Sequence, residues 1–137
     1  MRLAHISDLH FSTTDDIDTN HCHSDKLLAA AERTLVELSP HYLIVSGDIS
    51  NSGDAKSLQK ARDWLTSRYS YNGTESTGLE YTPQRLGLVP GNHDAWNSPR
   101  PTKLAIQTSI KEFLKVFEDC VAPPHGGRAL SAKGLYY

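Results

Sequence analysis

Cysteine is scarce in this sequence. Cys22 and Cys120 are the two among 137 residues, too few for a disulfide framework, and two free thiols are expected. Excess positive charge is missing as well. Fourteen Lys and Arg stand against 16 Asp and Glu, a net charge of −2, and the chain carries no nucleic-acid-binding signature. Long hydrophobic runs are absent: the apolar stretches are short and broken, well below the roughly 20 residues of a membrane span. No signal-peptide pattern is visible, so a soluble, cytoplasmic protein is expected, with no membrane segment. Internal repeats and low-complexity segments are lacking too. The length suits a single domain, large enough to bury a core of its own.

What is present is an alternation of strand and helix signals. Residues 2–7, RLAHIS, read as a short buried strand, and the polar residues 11–24 as a loop. Ser24 or Asp25 can cap a helix with Leu27, Leu28, Ala31, Leu35 and Leu38 on one stripe, closed by Pro40. The apolar run of residues 42–46, YLIVS, predicts a central strand covered on both faces. Asp54 is placed to cap a second helix with Leu58, Ala61 and Leu65 inward, and residues 70–83 read as a surface loop. Residues 85–89 form a third strand. A third helix follows Pro101, with Ile106, Ile110, Phe113, Leu114, Phe117 and Val121 at helical spacing. The order β-loop-α-β-α-β-α-β predicts a mostly parallel sheet with helices on its faces.

Polar residues sit at the ends of all three strands. The first runs into Asp8-Leu9-His10, the second into Gly47-Asp48, the third into Gly91-Asn92-His93-Asp94. In an open parallel sheet the carboxyl ends share one edge, where ligands bind. In extended geometry Asp8 and His10 point to the same side and can hold one cation. Asp48 has two carboxylate oxygens and can bridge two metals. Asn92 offers a carbonyl oxygen that suits Mn, Fe or Mg as well as Zn. Each motif alone has an ordinary explanation, since Asp after a strand is often a helix cap and Gly-Asp a turn. Three of them in this order, each at a strand end, point instead to a metal site for phosphoryl chemistry.

ISDLHFS, VSGDISNSG and VPGNHDAW resemble the first three motifs of the calcineurin-like metallophosphoesterases, in the branch that includes bacterial cyclic-nucleotide phosphodiesterases. The likeness covers about residues 1–96. It implies the N-terminal half of a two-sheet α/β/β/α sandwich, mostly parallel strands with helices outside, and divalent-metal-dependent hydrolysis of phosphoesters, in particular phosphodiesters. It implies two divalent ions (Mn, Fe, Zn or similar) in a complete enzyme. Asp8 and His10 would hold the first ion, Asp48 would bridge both, and Asn92 would bind the second ion and a substrate oxygen. His93 would face the leaving group as the catalytic residue and touch substrate, with Asp94 orienting a neighbouring group.

The sequence departs from the family pattern twice. Many members carry a second Asp three residues after the first; here Asn51 stands there, able to hydrogen-bond His93 but adding no charge. The family then completes its site with a later His and a G-H-x-H motif, which are absent. After His93 the one remaining histidine is His125, in a Pro- and Gly-rich loop, read as a surface residue. The chain alone is therefore expected to hold a single ion, weakly.

His21, His23 and Arg100 are candidate substrate contacts, and Trp64 and Trp96 read as packing residues. The chain closes on KGLYY, an apolar strand just beginning, so residues 1–137 are expected to form one C-terminally incomplete domain. Two alternatives remain open: a degenerate module that binds metal or a partner, or a half-site that a second chain or a missing C-terminal half completes.

Overall fold

The computed structural model describes residues 1–13, 25–67, 69–71, 74–76, 78–95 and 103–121. Its strands are β1 (Leu3–Ser7), β2 (Tyr42–Ser46), β3 (Tyr69–Tyr71), β4 (Thr74–Ser76) and β5 (Leu86–Val89), and its helices are α1 (Asp25–Leu38), α2 (Ala55–Thr66), α3 (Asn92–Ala95), α4 (Lys103–Val116) and α5 (Glu118–Val121). Three strands pair in parallel in the order β1-β2-β5. The α/β class and parallel sheet expected from the sequence are present. The register sets Ser7 opposite Ser46 and Ser46 opposite Val89. The strands therefore end level, and Asp8, Gly47-Asp48 and Pro90-Gly91 leave the sheet at one edge.

Side chains alternate across the sheet with period two. Leu43 and Val45 of β2 and Leu86 and Leu88 of β5 are buried, in one cluster with Leu58, Ala61 and Leu65 of α2 and with Phe113 and Phe117. Each of these Leu, Val and Phe side chains contributes about 1.5–3 kcal/mol by leaving water. The other face is open among the described residues: Leu3, Tyr42 and Val89 are about half exposed. β2 is thus central as expected, but it is covered on one face rather than two. An unbroken apolar run shows that a strand is suited to double cover without saying what supplies the second layer.

Other expectations shift in detail. α1 turns in Leu35, with Leu28 packed beside it, while Leu27 and Leu38 face solvent. Its seat is narrow because Trp64 of α2 meets it with a polar edge, the indole N–H donating to Glu32 at 3.0 Å. Trp64 is a packing residue, its ring 5.5 Å from that of Phe11. The stretch read as a surface loop holds the antiparallel β3–β4 hairpin, and beyond it the main-chain N–H groups of Leu79 and Tyr81 donate to Trp64 and Leu65 carbonyls. That seam buries Tyr81, whose hydroxyl donates to Pro40 O at 3.1 Å. The third strand begins at Leu86, after a 3-10 turn over Pro83–Arg85. Arg62 forks onto the Asp119 carboxylate at 2.7 and 2.8 Å and also meets Val116 O, tying α2 to α4 and α5. Cys120 is a free thiol there; burial, with Asp119 beside it, pushes it up to about 11. Cys22 and the strand expected at the C-terminus lie outside the described residues.

Asp54 caps α2 as expected, accepting from the N–H groups of Lys56 and Ser57 at 2.9 and 3.0 Å. Burial alone would raise its carboxyl. The Ser52 hydroxyl and the Ser57 and Lys56 N–H groups outweigh that and hold it below its ordinary 3.8. Asp54→Ala is expected to cost about 1 kcal/mol at neutral pH. A depressed carboxylate contributes stability above its unfolded pKa and loses it as the pH falls through the folded value. The gap between wild type and variant in urea melts should therefore close in acid. A gap that stays constant down to the acid limit would show that the charge on Asp54 is not what stabilises the cap.

Candidate metal centre

The chain after β1 does not stay extended, as the spacing argument assumed. Asp8 and His10 both take left-handed backbone, φ +57° and +46°, with Leu9 driven into the core between them. Asp and His are among the few side chains that tolerate this region, at a cost of about 1 kcal/mol or more each. The turn is held by its neighbour: His10 N–H donates to Asp48 O, Phe11 N–H to Ile49 O, and Asn51 N–H to Phe11 O, each at 2.9 Å. The β1 and β2 exits thus run side by side past the end of the sheet.

These turns gather His10, Asp48 and His93, whose ligand atoms all lie within 4.8 Å of one another. His10 Nε2 is 3.8 Å from Asp48 Oδ2, and the His10 and His93 rings meet edge to face with centroids 5.0 Å apart. Asp48 is buried, and its other oxygen accepts the His93 main-chain N–H at 2.8 Å. Two imidazoles and a carboxylate from three separate turns form a donor set that fits a divalent ion. Asp8 stands beside this group rather than in it: its carboxylate oxygens lie 3.5 and 3.6 Å from where a side chain on Gly47 would begin. Asn92 opens α3 and is exposed.

His93 Nδ1 lies 2.7 Å from the main-chain carbonyl of Asn51. A carbonyl only accepts, so Nδ1 carries the hydrogen and Nε2 is the nitrogen left for chemistry. The sequence points to the Asn51 amide as the partner of His93; the contact seen here is made by the Asn51 main-chain carbonyl instead. Asp94 is fully buried, and its carboxylate accepts from the N–H groups of Gly91, Ile49 and Ser50 and from the Ser50 hydroxyl, at 2.7–2.9 Å. Burial pushes this carboxyl above its ordinary value while the four donors pull the other way. Ser50 was not singled out in the sequence. Its type carries no signal, and its partner is 44 residues away.

The family model for calcineurin-like phosphoesterases matches residues 1–132. The chain belongs to that family. Members of this family are phosphoester hydrolases that generally use divalent metal ions. The chain is 32% identical over 99 residues to a protein of Synechococcus sp. described as a probable cyclic nucleotide phosphodiesterase. The match takes in 72% of this chain and 38% of that relative. No solved structure gives a significant match. His21, His23, Arg100, Trp96 and His125 lie outside the described residues, and no helix among the described ones is long and apolar enough to cross a membrane.

Proposed function

We propose that the chain supplies the His10–Asp48–His93 half of a site that hydrolyses phosphodiesters. The observation that carries this reading is the convergence of those three side chains from three strand ends. His10 and Asp48 would hold a divalent ion, with Asp8 alongside. Bound there, the ion supplies Lewis acidity, offsetting charge on phosphoryl oxygens and making water a better nucleophile.

The residues of the chain do the rest. His93, with Nδ1–H fixed on Asn51 O, presents Nε2 to the leaving-group oxygen and gives it a proton when the ring is charged. Asn92, exposed at the start of α3, would hydrogen-bond a phosphate oxygen. Asp94 keeps the turn that carries both. The name of the Synechococcus relative supports a cyclic nucleotide as one substrate class. A second ion of the family's pair would need ligands from beyond the described residues or from another chain, since these gather one group of three.

Cobalt(II) titrated into the 137-residue chain should give the absorption of a single bound ion. Asp48→Ala should remove it, and bis-(4-nitrophenyl) phosphate with manganese should stay uncleaved by these residues alone. Undiminished cobalt absorption in Asp48→Ala would place the ion elsewhere. Brisk cleavage by the chain itself would show that the ligands present already suffice.

A further inference from the structure

One hydroxyl joins the two turns that carry His93 and Asn51. Ser50 Oγ donates to Asp94 Oδ1 at 2.8 Å and accepts the Gly53 N–H at 2.9 Å. Asp94 belongs to the turn after β5. Gly53 closes the turn after β2, and its Cα lies directly under the main chain of that other turn: a Cβ there would come within 2.7 Å of Asp94 O and 2.9 Å of His93 O. Between Ser50 and Gly53 lies Asn51, whose carbonyl takes the His93 Nδ1 hydrogen. Ser50 is fully buried, and its own N–H goes to the same Asp94 oxygen.

We infer that Ser50 is a positioning residue for His93. Its hydroxyl sets the height of the Asn51 carbonyl against the imidazole, and through that carbonyl it selects the ring form with hydrogen on Nδ1 and Nε2 open toward His10 and Asp48. The inference deepens the metal and phosphoester reading and rests on it for its consequence, although the ring form can be read without any ion. Neutral histidine in water favours hydrogen on Nε2, so a site that needs Nε2 open must impose the opposite form.

Long-range proton–nitrogen NMR of the nitrogen-15-labelled chain in alkaline buffer, where imidazoles are neutral, reads the form of His93 directly. Wild type should show hydrogen on Nδ1. Ser50→Ala should return His93 toward the Nε2 form, and Ser50→Cys, which fills the volume with a poor hydrogen-bonding group, should do the same and covers an alanine variant that does not fold. Leu65→Val, which loosens the core on α2, should leave the ring form unchanged. A wild type with hydrogen on Nε2, or Ser50 variants that keep it on Nδ1, would overturn the inference. A wild type that takes up no cobalt would sink the metal reading instead, with the ring signals still deciding the role of Ser50.

Discussion

Asp94→Ala is expected to destabilise the chain by about 4 kcal/mol, a large share of the roughly 5–15 kcal/mol that holds a domain together. The carboxylate meets four donors, three of them main-chain N–H groups. Alanine leaves all four buried with nothing to accept from them, at about 1–3 kcal/mol each before relaxation and water entry reduce the sum. The cost is not confined to one loop, because the donors sit on the β2 exit and on the β5 exit. Urea melts followed by circular dichroism would measure it. A midpoint shift worth less than about 1 kcal/mol would mean that water substitutes for the carboxylate and that the two exits are held by something else.

Gly91→Ala should combine a loss of about 3 kcal/mol with loss of cobalt(II) binding. A Cβ at position 91 would overlap Asp48 Oδ1 and stand 2.5 Å from Asp48 N and 2.7 Å from Gly47 C. The carboxylate can swing away from its place in the cluster; the main chain of the neighbouring turn cannot. Gly87, four residues earlier on β5, is the internal control. A Cβ there meets only Ile44 Cγ1 at 3.5 Å, ordinary contact, so Gly87→Ala should fold and bind as wild type does. A Gly91→Ala chain that saturates with cobalt at wild-type concentrations would show that Asp48 need not stay where it is.

The alternation of strands and helices, and the polar residues at the strand ends, were legible because both follow from local pattern. YLIVS and LGLV are too short and too apolar to be surface helices; Gly47 follows the first and Pro90-Gly91 the second, and polar residues come next. The cap at Asp54 and the inward set Leu58, Ala61 and Leu65 follow from helical spacing alone. What escaped depends on partners far along the chain. YSY and TES are three-residue strands of mixed polarity, held by pairing with each other rather than by propensity. The exposure of Leu27 and Leu38 depends on how α1 meets α2, which no periodicity encodes. Asp94 could be placed near the site from its neighbours, but its partners at 49 and 50 could not, and with them the part played by Ser50 was hidden. The left-handed turns at Asp8 and His10 belong to the same class: only the pairing of residues 10 and 11 with the β2 exit requires them.

The bonds that assemble the cluster also say when it forms. His93 reaches Asp48, and Asp94 reaches Ile49, across 45 residues of chain, and the parallel pairing of β2 with β5 spans a comparable loop. Closing loops of that length is an entropic cost met before any of these contacts can reward it. The donor set is thus a late product of folding rather than a seed for it. An ion held by His10 and Asp48 would act on the way out of the native state, slowing escape from it, and would leave the rate of reaching it unchanged.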